Sequence, residues 1–160
     1  MSFIENIKLR AKSNIKTIVL PEANDIRTLE ATNIVLNEGY AKVILIGNEN
    51  EVLEQAKTKN LSLNGVQIIE PNKSPDYEEY VEKFYELRKA KGMTLENAKK
   101  TILDPVYFGM MMVKLGKADG LVSGAAHSTA DTLRPALQIL KTAPRNKTCF
   151  CIFCNVCSRL

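Results

Sequence analysis

Two short apolar runs, TIVL (Thr17 to Leu20) and KVILI (Lys42 to Ile46), constrain the fold of this chain more than any other feature. Both are rich in β-branched residues, both are too short for a helix, and their apolar residues are consecutive, as in a strand buried on two faces. Each is followed by turn formers and then by a longer mixed segment. Weaker strand candidates are VQII (Val66 to Ile69) and DGLVSG (Asp119 to Gly124). Helical patterns separate them. The clearest places Tyr77, Tyr80, Val81, Phe84 and Leu87 on one stripe. A second begins with a capping signature at Thr94 (TLEN), and a third has Pro105 at its first position and Gly116 to end it. Strand alternating with helix predicts an α/β fold, a mostly parallel sheet with helices on both faces.

At 160 residues, 45% of them hydrophobic and 25% charged, the chain has the apolar material for one packed domain or part of a larger one. No stretch approaches the roughly 20 apolar residues of a membrane span. The opening MSFIENIKLRAKSNIK has no continuous signal-peptide core. These features lead us to expect a cytoplasmic protein without a membrane partner. The net charge of +4 comes from basic residues interleaved with acidic ones, which gives no support to nucleic-acid binding.

Ligands of open parallel sheets bind at the C-terminal ends of the strands, so a site is expected in the strand-to-helix loops. In LPEANDIRTLE, Asn24 or Asp25 is suited to cap a helix, with Arg27 in its first turn. Helix dipoles disfavour a cation there, so either Arg27 shares the site with an anion or it is solvated and paired with Glu30 or Asp25. The stretch SGAAHSTADTLRPALQIL offers hydroxyls at Ser123, Ser128 and Thr129 and open backbone N–H groups at Gly124, Ala125 and Ala126, a plausible phosphate cradle. Pro135 is tolerated only in a first turn, so the following helix is expected to start near Thr132, with Arg134 in its opening turn. His127, the only histidine, is either a base or a loop residue bonded to neighbouring backbone. Arg88 lies on the apolar stripe of Phe84 and Val81, where it either snorkels at the helix end or points into a site.

LPEANDIRTLEA, FYELRKAKGMTLENA and VSGAAHSTADTLRPALQILKTAP closely resemble the phosphate acetyltransferase family, from about residue 2 to Pro144. The resemblance implies a fold similar to isocitrate dehydrogenase, a homodimer about twice this length, and a cleft between two domains. Residues 1–144 would be the N-terminal part of the phosphate acetyl/butyryl transferase domain. It implies reversible acetyl transfer between acetyl phosphate and coenzyme A, with coenzyme A and phosphate as substrates and no bound cofactor or metal. Arginines matching Arg27, Arg88 and Arg134 are implicated in substrate and coenzyme A binding. Ser123, Gly124, Ser128 and Thr132 are further candidates for that site. The base thought to activate the thiol belongs to the family's second half, so the 160-residue chain alone is expected to be inactive. A phosphate butyryltransferase-like acyltransferase is the alternative within the family.

From Arg145 the sequence leaves the family pattern. Residues 145–160, RNKTCFCIFCNVCSRL after Pro144, hold Cys149, Cys151, Cys154 and Cys157, which are all the cysteines of the chain. One reading is a metal-binding tail attached to a metabolite-binding module. The other is a frame change. Reverse-translated with permitted codons and read one base later, the tail gives GIKLVSAFFVMFVPD, the strand expected after Pro144. On that reading the cysteines are accidental, and the tail is not a domain.

Overall fold

The computed structural model describes residues 2–142. The expected domain boundary at Pro144 and the expectations for the cysteine tail lie outside the described residues. Four strands, β1 (Lys16–Leu20), β2 (Ala41–Ile46), β3 (Gln67–Ile69) and β4 (Gly120–Leu121), form one sheet in the order β3-β2-β1-β4, all parallel. The helices are α1 (Phe3–Ser13), α2 (Ile26–Glu38), α3 (Glu49–Thr58), α4 (Tyr77–Arg88), α5 (Leu95–Ile102), α6 (Pro105–Lys114) and α7 (Thr129–Ile139). The expected α/β class and parallel sheet are both observed.

The consecutive apolar residues of β1 and β2 serve both faces, as a doubly covered parallel sheet requires. Val19, Ile44 and Ile46 pack on one side against Tyr80, Val81 and Phe84 of α4, with Phe108 and Met111 of α6. Val43 and Leu45 face the other side, against Leu29 of α2 and Val52 of α3. Full burial of each large side chain contributes about 1.5–3 kcal/mol. The stripe expected for α4 is confirmed, because Tyr80, Val81 and Phe84 are wholly buried and Tyr77 and Leu87 partly so. Helix α6 approaches the sheet so closely that a Cβ at Gly109 would lie 2.6 Å from Leu121 Cδ1 and 2.9 Å from Val19 Cγ1.

The helix starts follow the capping chemistry. Asp25, Asn48, Thr94 and Asp104 each accept a backbone N–H in the first turn, and Pro105 occupies the first position of α6. The helix expected near Thr132 instead begins at Thr129, because Ser128 caps it by accepting from the Asp131 N–H at 3.2 Å. Pro135 therefore sits inside α7, and Arg134 lies beyond its first turn. Strand β4 covers only Gly120 and Leu121 of the expected DGLVSG segment. Connections from β1 to β2 to β3 run to one side, whereas β4 lies on the other side of β1. The chain thus switches direction between β1 and β4. Ligand crevices form at such switch points, outside the carboxyl ends of the strands.

Candidate functional site at the strand switch point

The loops that leave β1 and β4 are joined by one carboxylate. Glu22 is only 2% exposed, and its oxygens accept four successive backbone N–H groups. Gly124 and Ala125 donate to Oε2 at 2.9 Å each, and Ala126 and His127 donate to Oε1 at 2.8 and 2.7 Å. The His127 ring adds a fifth bond, Nδ1 to Oε1 at 2.9 Å. A carboxylate only accepts, so Nδ1 carries the hydrogen. Burial alone would push the Glu22 carboxyl up, but the N–H groups of Ala126, His127 and Ala125 and the His127 ring together hold it at about 2.

These bonds correct two sequence expectations. The N–H groups of Gly124, Ala125 and Ala126 are turned onto Glu22 and are not open to a phosphate. His127 bonds a side chain from another loop, so it is not simply tied to neighbouring backbone. Gly124 has φ +120, a conformation that side-chain-bearing residues rarely adopt, and this lets the loop curl around the carboxylate.

Arg27 stands in the first turn of α2, where its Nε and a terminal nitrogen grip the Asp25 carboxylate at 3.0 and 2.6 Å. The same terminal nitrogen also donates to the Ala125 carbonyl. The expected pairing with Asp25 is therefore real, and it fastens α2 to the loop before α7. The side chain remains 67% exposed. Arg27 holds the Asp25 carboxyl below the usual carboxylate range, mainly through this hydrogen bonding.

Ser128 donates to Asp131 Oδ2 at 2.6 Å, and Thr132 donates to Ser123 Oγ at 3.4 Å. Ser123 and Thr132 thus meet at the start of α7, which Ser128 caps. Arg134 is 61% exposed and lies 4.0 Å from Asp131 Oδ1.

Arg88 is the last residue of α4. Its Nε is buried, with no hydrogen-bond partner among the described residues. The Tyr107 phenol of α6 lies close enough to Arg134 and Arg88 for both charges to act on it. Burial raises its pKa, Arg134 opposes that rise, Asp104 adds to it, and Arg88 opposes it further. Its hydroxyl donates to Gln138 Oε1 of α7 at 3.1 Å, and its ring packs edge-on against Phe84 with centroids 5.6 Å apart. Tyr107 therefore joins α4, which ends in Arg88, to α7, which carries Arg134. Among the described residues, Arg27 shares no hydrogen-bond or ion-pair partner with either of the other two arginines.

Glu22, Tyr107 and Gln138 were not legible as site residues. A carboxylate two residues after an apolar, β-prone run, with no basic neighbour in sequence, was the one available signal for Glu22. Beside the Glu22 contact, a cleft of about 330 Å³ is lined by Asn24, Asn48, Glu51, Pro105 and His127 among others.

Residues 2–159 match the family described as phosphate acetyl/butaryl transferase. The chain belongs to that family. It is 56% identical over 147 residues to a phosphate acetyltransferase of Acetivibrio thermocellus, covering 92% of this chain and 44% of the relative. It is 46% identical over 144 residues to that of Clostridium acetobutylicum, covering 90% and 43%. Among solved structures, a phosphotransacetylase from Streptococcus pyogenes superposes with a TM-score of 0.84 at 42% identity, over 90% of this chain and 44% of that one. One from Staphylococcus aureus gives 0.80 at 42% identity, over 89% and 43%. The chain spans less than half the length of these transferases. No helix among the described residues is long and apolar enough to cross a membrane.

Proposed function

We propose that this chain supplies one wall of the active site of a phosphate acetyltransferase, which exchanges an acetyl group between acetyl phosphate and coenzyme A. The observation that carries this reading is Arg88. A guanidinium nitrogen buried without a partner costs about 1–3 kcal/mol, a cost that a bound anion would relieve. Tyr107 of α6 packs on Phe84 of α4 and donates to Gln138 of α7, so the helices that carry Arg88 and Arg134 meet at one phenol. Arg27, at the loop joined to Glu22, contributes a third cation, and Ser123, Ser128 and Thr132 contribute hydroxyls.

In the proposed reaction the coenzyme A thiol attacks the acetyl carbonyl and phosphate leaves. Cations near the phosphoryl oxygens stabilise the charge that develops on the leaving group. The base for the thiol is assigned to the part of the family's length that these residues do not span. A polypeptide of these 160 residues alone would then bind anionic substrates without turning them over. We extend the proposal to a homodimeric full-length enzyme.

The test is a full-length protein in which these residues replace the matching part of a relative. Arg134→Ala is expected to lower kcat/KM by an amount equivalent to about 2–4 kcal/mol. Arg134→Lys should recover only part of it, because an ammonium lacks the planar fork that grips two phosphate oxygens. Unchanged transfer in Arg134→Ala would place the residue outside the site.

A further inference from the structure

The loop after β4 has the form of an anion receptor, with four consecutive N–H groups converging on one point. In this chain the receptor is filled from within. The Glu22 carboxylate accepts all four, and the His127 ring closes the fifth side. Such a nest is complete, so a substrate anion at this crevice is left to the side chains around the loop.

The same contact sets where those side chains stand. His127 is immediately followed by Ser128, whose hydroxyl caps α7 and bonds Asp131. Gly124 is immediately preceded by Ser123, which accepts from Thr132. In the middle of the loop, the Ala125 carbonyl receives Arg27. Every candidate ligand group of the loop therefore lies within one or two residues of an amide bonded to Glu22.

We propose that Glu22 is a positioning residue, an internal anion that occupies the amide nest of residues 124–127 and thereby fixes Ser123, Ser128 and the start of α7 relative to Arg27. That these groups then serve a substrate rests on the function proposed above. The nest and its internal anion do not. Glu22 itself touches no substrate in this scheme, and its effect reaches the ligand only through the loop.

The test uses the 160-residue chain with Glu22→Gln and Glu22→Ala. Glu22→Gln keeps the volume but turns an amide N–H₂ toward backbone donors. The amide NMR resonances of residues 124–127, and with them those of Ser128 and Asp131, are expected to shift, whereas those of β2 and α4 stay in place. In Glu22→Ala, sodium formate is expected to return those resonances toward their original positions in a saturable manner. If that variant is unfolded, formate should refold it where equal sodium chloride does not. The wild-type chain should not respond to formate. A nest that ignores formate in Glu22→Ala overturns the internal-anion role, and unmoved Ser128 and Asp131 resonances in Glu22→Gln overturn the positioning role. Coenzyme A titration is the separate arm. Affinity lowered tenfold or more in Glu22→Gln supports the link to substrate, whereas absent binding in the wild type refutes the proposed function and leaves the formate result standing.

Discussion

Replacing Arg88 by methionine is expected to make the protein more stable and less able to bind its ligand. Methionine retains the unbranched apolar stem that packs along the stripe of Phe84, and it removes the guanidinium. The Nε of Arg88 is buried and has no hydrogen-bond partner among the described residues, so its loss recovers about 1–3 kcal/mol. Against this, Arg88 is a cation at the C-terminus of α4, where the helix dipole favours it by about 0.3–1 kcal/mol. Subtracting the second from the first leaves a net stabilisation between about 0 and 2.7 kcal/mol, centred near 1.4 kcal/mol. For a domain of this size the central value raises Tm by roughly 3–6 °C. Urea titrations of both proteins at pH 7 measure the difference, and an unchanged m-value confirms that the denatured state is the same. Coenzyme A titration on the same samples should show binding weakened at least tenfold. A variant less stable than wild type by more than about 1 kcal/mol would show that the guanidinium is satisfied in the native state, and the physical basis of the assignment would fail.

Three further outcomes are expected. Glu22 has a carboxyl held at about 2 against an ordinary 4.5, so its contribution is present above pH 4.5 and is lost as pH falls toward 2. The difference corresponds to about 3 kcal/mol. Urea titrations across that window should show a steeper acid loss for wild type than for Glu22→Gln, and parallel curves would refute the linkage. Gly109→Ala places a Cβ 2.9 Å from the buried Val19 Cγ1. Overpacking of about 1–3 kcal/mol outweighs the helix propensity gain of about 1 kcal/mol, so the midpoint in urea should fall. Ser128→Ala removes the cap of α7 and should cost about 0.5–2 kcal/mol by the same measurement, with no loss expected if the cap is dispensable.

The parts of the fold that were legible in the sequence are those whose cause is local. Val19, Ile44 and Leu45 lie among consecutive apolar residues, Ile18 to Leu20 and Val43 to Ile46, and only a strand covered on both faces calls for that. Asp25, Thr94 and Pro105 announced helix starts because a cap or a first-turn proline acts on N–H groups within a few residues of itself. The DGLVSG segment misled for a non-local reason. It was read as one strand, yet Val122 is followed by a loop whose N–H groups leave the sheet for Glu22. Pro135 misled in the opposite way. Its ring argued for a late helix start, but the Ser128 to Asp131 cap won and the helix accommodates the proline. Arg27, Arg88 and Arg134 stood out because a cation at a helix start or on an apolar stripe needs an explanation. Glu22 did not stand out, because its donors lie 102–105 residues further along the chain.

That separation gives the site a place in time. Residues 16–20 can pair with β2 after about twenty intervening residues, but they meet β4 only after roughly a hundred. Closing the longer loop costs more entropy, and non-local parallel pairing is slow. On a ribosome adding about 5–20 residues per second, Glu22 would wait roughly 5–20 s for the amides that bond it to be made. The β1–β2 pair and its flanking helices are able to assemble in that interval. The crevice is then the last part of this wall to close, and hydrogen exchange at Gly124 to His127 during refolding would time that final step.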